Sequence, residues 1–293
     1  MDKITIVTAF FDIGRGNYDD FKRSSEKYVE WFKRWSRIKN DLIVYLQDDN
    51  IIEQVKKIRE EYGLSEKTKV IKVEDVFAIE KDIFDKWEKI EKDEAFIKYR
   101  DFKTNPENKA KYNYINLVKS YFMADVAKKY MNEGYVVWMD FGFEHGGKVF
   151  EDENDYSFEW KYDFGDKINL FYLNEIPDIP LFKIIKDYGP DCISGGILVS
   201  PKNLAEDFWI DNLKSAQTLA ELGFMDDDQA LYLMSYRRNP GIFSLHKSDW
   251  FMPIRDFGGE HFKVKPKQEV KISFIGKVKR KVKKVVNKFY GKE

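Results

Sequence analysis

The 293-residue chain has a single cysteine, Cys192, only three histidines and eight prolines. One thiol excludes a disulfide framework and a zinc site built on cysteine pairs, and it is the usage expected in a reducing compartment. No apolar run approaches the roughly 20 residues of a membrane-spanning helix. The opening Met1-Asp2-Lys3-Ile4-Thr5 leads directly into a strand pattern without the apolar stretch of a signal peptide, so a cytoplasmic location is expected. Net charge is nearly absent as well, with 50 Lys+Arg against 51 Asp+Glu.

Aromatic residues are plentiful: 24 Phe, 17 Tyr and 7 Trp. That much buriable surface excludes disorder for the bulk of the chain. The length suits one large α/β domain or two smaller ones, with enough chain for a substantial core. The charge balance also conceals a segregation. Residues 263–293 carry 12 Lys/Arg against 2 Asp/Glu, whereas the first 262 carry 38 against 49. The chain is an acidic body, 1–262, with a strongly basic tail, 263–293.

Apolar and β-branched residues predict strands at Lys3–Phe10, Asp41–Gln47, Lys69–Val73, Tyr135–Met139, Ile168–Leu173 and Ile193–Ser200. Helical spacing predicts helices over Tyr18–Arg37, Ile51–Tyr62, Asp75–Arg100, Tyr112–Asn132, Leu204–Leu222 and from Met225 to Tyr236. Strands alternating with helices indicate an α/β fold with a mostly parallel sheet flanked by helices.

Three clusters could carry chemistry. Asp140 follows a strand and precedes Phe141-Gly142-Phe143-Glu144-His145-Gly146-Gly147. Ligands of open α/β sheets bind at the carboxyl ends of strands, where an acid followed by glycines suits a cation and a diphosphate. The plain alternative is an Asp capping a turn. Ser194-Gly195-Gly196 puts two glycines in a strand, which marks a bulge or a ligand's close approach. Asp226-Asp227-Asp228-Gln229 opens a helix with more acid than a cap needs. His246 is a fourth candidate, as a metal ligand alongside carboxylates, though a lone histidine is more often structural.

Taken in order, Ile6-Val7-Thr8-Ala9-Phe10-Phe11-Asp12 with Gly14-Arg15, Trp138-Met139-Asp140-Phe141-Gly142-Phe143 and Ile193-Ser194-Gly195-Gly196 resemble the bacterial HtrL/YibB (WlaTC-like) family, read as GT-A-type glycosyltransferases. A more distant likeness is to glycogenin-like galactosyl/glucosyltransferases. The resemblance spans about residues 3–255 and implies a GT-A-like, Rossmann-like fold over 1–262. It implies transfer of a hexose-type sugar from a nucleoside-diphosphate sugar, a UDP-sugar, to a surface-glycan or lipid-linked acceptor. Thr8, Ala9 and Phe10 would line the nucleotide pocket, and Arg15 and Lys247 would approach the phosphates. Asp140 and His246 would hold a divalent cation, Mn²⁺. Ser194, Gly195 and Gly196 would lie beneath the sugar, while Asp227, Asp228 and Gln229 would face the reacting centre. The second Asp of the Asp-x-Asp motif is replaced by Gly142. Either Glu144 substitutes for it, or metal binding is weak or absent and Lys and Arg neutralise the leaving group instead.

An oxocarbenium-like transfer needs charge stabilisation on the departing diphosphate and a held acceptor hydroxyl. An inverting enzyme also needs a carboxylate base, for which Asp227 and Asp228 are candidates; a retaining one does not. A rival from another class is a catalytically degraded GT-A scaffold serving as a membrane-associated binding or assembly protein, and a third is a phosphotransferase or nucleotidyltransferase. In the tail, Ile275, Val278, Val282, Val285, Val286 and Phe289 share one helical face amid lysines. A basic amphipathic helix over 272–290 is expected to attach the protein peripherally to an anionic membrane at the inner face of the cell membrane. The acidic body makes nucleic acid a poor partner.

Overall fold

The computed structural model describes residues 3–18, 22–101, 106–174, 180–187 and 192–266. The expected tail helix over 272–290 and Asp191 lie outside them. The fold below is that of the body, residues 1–263.

In chain order the strands and helices are β1 (Ile4–Phe10), α1 (Ser25–Trp35), β2 (Asp41–Leu46), α2 (Asp49–Glu61), β3 (Thr68–Lys72), α3 (Lys81–Ile90), α4 (Glu94–Tyr99), α5 (Ala110–Lys129), β4 (Tyr135–Met139), β5 (Ile168–Tyr172), α6 (Leu181–Asp187), β6 (Ile197–Pro201), α7 (Ala205–Glu221), α8 (Asp228–Arg238), β7 (Phe243–Lys247) and α9 (Pro253–Asp256). Among the described residues, seven strands form one sheet in the order β3-β2-β1-β4-β6-β5-β7. β3, β2, β1 and β4 run parallel, β6 is antiparallel to both β4 and β5, and β7 is parallel to β5. This is the α/β, mostly parallel sheet flanked by helices that the sequence pattern predicts.

Alternation along the strands divides the core into two layers. Ile4, Ile6 and Phe10 of β1, with Tyr135, Val137 and Met139 of β4, face α1 and α2. Val7, Val136 and Trp138 face α3, α5, α7 and α8. On α1, Val29, Phe32 and Trp35 follow helical spacing and are buried. Phe32 stacks on Phe141 at a ring-centroid distance of 4.5 Å, and Trp35 Nε1 donates to the Phe141 carbonyl at 3.1 Å. α1 therefore fixes the chain as it leaves β4.

Two expectations need correction. The segment 75–100 is not one helix: Asp93 accepts from the amides of Ala95 (2.7 Å) and Phe96 (3.1 Å), starting α4 after a break. The apolar spacing Ile115, Val118, Phe122, Val126 and Tyr130 predicts one buried side for the helix after Tyr112, but α5 buries more than that stripe. Asn113, Lys119 and Ser120 are buried along with Tyr114, Val118 and Phe122, because the helix is packed between the sheet and its neighbours. Among the described residues no helix is long and apolar enough to cross a membrane.

Candidate functional site

The carboxyl ends of β1 and β4 border a pocket of about 540 Å³. Strand order reverses between these two, so a crevice forms where the following loops diverge to opposite sides. β6 arrives antiparallel and brings the residues before its start to the same place: the Asp140 amide donates to the Gly196 carbonyl at 3.0 Å. α5 and the start of α8 close one wall.

Asp140 shares a face with Trp138, two residues earlier, whose Nε1 donates to Asp140 Oδ1 at 2.8 Å. The same face meets Lys119 of α5. Its Nζ lies 3.1 Å from Asp140 Oδ1, 2.7 Å from Asp228 Oδ2 and 3.1 Å from the Gly195 carbonyl oxygen. Burial works against the ammonium charge, but the Asp140 and Asp228 carboxylates outweigh it and raise the Lys119 pKa. The residue is a buried, fixed cation between two acids.

Gly195 is required by this packing. A Cβ there would land within the Asp228 carboxylate. Gly195→Ala is expected to displace Asp228 and cost about 1–3 kcal/mol, as overpacking does, which urea unfolding measures. Unchanged stability would contradict the close approach. Ser194 lies behind the glycines, fully buried, with its Oγ accepting from the Gly196 amide at 3.3 Å.

The acidic run divides its labour. Asp226 pairs with buried Arg100 at 3.1 Å, and Asp228 pairs with Lys119. Asp227 caps α8, accepting from the Gln229 amide at 3.1 Å, and also lines the pocket. Burial, then Asp228, Asp226 and Glu107, push its pKa well above the usual carboxylate range. Glu107 lines the pocket too, pushed up to about 7 by burial first and Asp226 next. Its Oε2 is buried without a hydrogen-bond partner among the described residues.

The same pocket also has a cationic and aromatic lining. Arg15 donates to Tyr28 Oη at 2.8 Å and lies over the Tyr112 ring at 5.1 Å. Arg23, Lys148, His145, Trp250 and Phe251 also face the pocket. The His145 ring lies 5.1 Å from Trp31 and 5.3 Å from Phe251. Burial, with Arg23 and Lys148 nearby, lowers its pKa to about 4, so the imidazole is neutral near pH 7.

Comparison with known sequences adds the family. Residues 2–259 match the family described as "Bacterial protein of unknown function (HtrL_YibB)". The chain belongs to the HtrL_YibB family. It is also 28% identical over 276 residues to Protein HtrL of Escherichia coli (strain K12), covering 86% of this chain and 92% of that protein.

In this HtrL_YibB chain the structure brings Ala9, Phe10, Arg15, Asp140, Gly195, Gly196, Asp227, Asp228 and Gln229 to the pocket. Five expected residues are placed elsewhere. Thr8 falls on the β1 face that carries Ile6 and Phe10, fully buried beneath α1 and α2. Ser194 supports the glycines from behind. Glu144 does not supply a second metal ligand. Its Oε1 accepts from the Val149 and Phe150 amides, and its Oε2 from Arg34 Nε at 2.9 Å and Tyr156 Oη at 3.3 Å. His246 sits on β7, its Nε2 2.6 Å from Asn169 Oδ1 and its ring against Phe171 and Phe257. Lys247, next along that strand, is exposed outside the pocket lining.

These placements bear on the expected Mn²⁺. Gly142 cannot be restored to Asp in place, since a Cβ there would approach the Tyr28 ring to 2.8 Å. His246 and Glu144 are committed elsewhere, and Lys119 bridges Asp140 and Asp228. Among the described residues, no three His, Cys, Asp or Glu side chains are grouped to hold a metal ion. The donor set does not fit the divalent cation that an Asp-x-Asp site would hold.

Proposed function

We propose that this pocket binds a nucleoside-diphosphate sugar, a UDP-sugar, and transfers its hexose to a hydroxyl of a glycan or lipid-linked acceptor. The observation that carries the reading is that acids and cations line one pocket at the carboxyl ends of β1 and β4. Asp140 at the end of β4 and Asp227 and Asp228 at the start of α8 lie with the Gly195-Gly196 shelf in a pocket that Arg15, Arg23 and Lys148 also line. Anionic phosphates suit the cationic rim. Sugar hydroxyls suit the carboxylates and Gln229, while Trp250 and Phe251 offer flat apolar faces.

The chemistry follows from that orientation. The acceptor oxygen forms a bond to the anomeric carbon as the bond to the diphosphate breaks, and the electron pair leaves with the diphosphate. The hydroxyl proton passes to a carboxylate, for which Asp227 is suited: it lines the pocket, whereas Arg100 pairs with Asp226 and Lys119 with Asp228. Single displacement with inversion is the expected outcome. An acceptor at an anionic membrane surface would also suit the basic segment 272–290.

Asp140→Ala is expected to abolish sugar transfer, assayed by release of nucleoside diphosphate together with glycosylated product. Release of inorganic phosphate or pyrophosphate instead would favour a phosphotransferase or nucleotidyltransferase, and normal transfer by the variant would remove Asp140 from the site.

A further inference from the structure

A Lys119 ammonium has three protons, and three acceptors surround it: Asp228 Oδ2, Asp140 Oδ1 and the Gly195 carbonyl. Those acceptors come from α8, from the end of β4 and from the turn before β6. A divalent cation in a GT-A site would draw strand-end carboxylates together in the same manner. Here the cation is covalently part of α5, and only 6% of its residue surface is exposed. Mn²⁺ at these two acids would lie close to the buried ammonium already paired with them, a like-charge contact that works against its binding.

We infer that Lys119 takes the place of the divalent cation, so that a nucleoside diphosphate binds without metal and its charge is met by Arg15, Arg23 and Lys148. This inference rests on the glycosyl-transfer reading for the identity of its ligand. Lys119 itself has no proton to spare for phosphate. It acts as a positioning residue, holding Asp140, Asp228 and the Gly195 shelf in register. Arg15 is already steadied by Tyr28 and Tyr112, and Arg23 lies over the Trp31 ring at 5.6 Å. A guanidinium can meet two phosphate oxygens at once, which a lysine cannot do.

The test is a Mn²⁺ titration of the full chain, with and without UDP, following the free ion by its electron paramagnetic resonance signal. Calorimetry of UDP and GDP in EDTA and in Mn²⁺ accompanies it. The expected result is no Mn²⁺ uptake that Asp140→Asn removes, and a nucleotide affinity that differs by less than about threefold between the two conditions. Mn²⁺ uptake lost in Asp140→Asn, or tightening by Mn²⁺ of about tenfold or more, overturns the inference. Failure of both nucleotides to bind in either condition counts against the glycosyl-transfer reading. The nucleotide-free Mn²⁺ titration then still decides the role of Lys119.

Discussion

Replacing Lys119 with methionine is expected to destabilise the protein by about 3–5 kcal/mol, the cost of leaving buried charge without its partner. Methionine fills nearly the same volume, so the loss is electrostatic rather than a cavity effect. Asp228 is itself buried, and Asp140 lies beside it, so removing the ammonium leaves two carboxylates facing each other. Protonation relieves that conflict. The deficit against wild type is therefore expected to shrink as pH falls and to grow toward neutral pH. Adding Asp228→Asn to the variant should recover part of the loss. Urea unfolding at acid and neutral pH measures all of this. A loss below about 1 kcal/mol, typical of a surface pair, would show that Lys119 is not the hub of the site.

The second large effect concerns Asp227. Asp227→Asn is expected to lower kcat by about 10²–10⁴-fold, the usual contribution of a positioned base, while donor affinity changes little. The pH profile is the more specific readout. Burial and the neighbouring acids raise the Asp227 pKa, and Glu107 beside it titrates at about 7. Acid keeps the base protonated, so kcat/KM of the wild type should fall toward acid pH, starting at a higher pH than an ordinary carboxylate would give. The residual activity of Asp227→Asn should lack that acid limb. An unchanged kcat, or an acid limb that persists in the variant, would assign the proton to another group.

How much of this was legible beforehand depended on how far each feature rests on neighbours in sequence. β4 coincides with the apolar run Tyr135–Met139 because both of its faces are buried, and Asp140 follows from where that run stops. Gly195 and Gly196 stood out because glycine within a strand pattern has few other uses. Lys119 carried no signal: a lysine in a helix of a chain that is 34% charged reads as solvated, and only tertiary packing makes it buried. His145 and His246 posed the same problem in reverse. The chain order of GT-A motifs favoured His246, yet the β7 register directs it toward Asn169, while His145 reaches the pocket through a turn with φ 48°. Glu144, at φ 60°, belongs to that same turn and holds it together from inside. Thr8 lies farther from the end of β1 than Ala9 and Phe10 and is fully buried, so only the last two of the three reach the pocket.

On the proposed reading, the pocket uses a side chain as its cation and its acids serve separate ends: Asp226 pairs with Arg100, Asp228 with Lys119, and Asp227 would carry the chemistry. The claim beneath these assignments is that the pocket holds a nucleoside-diphosphate sugar. Equilibrium binding of UDP, GDP and CMP sugars to the full chain, compared with an Arg15→Ala, Arg23→Ala double variant, tests it most directly. The account predicts that a nucleoside-diphosphate sugar binds the wild type and loses most of its affinity in the double variant. Absence of binding by every donor, or equal binding by both proteins, would contradict it.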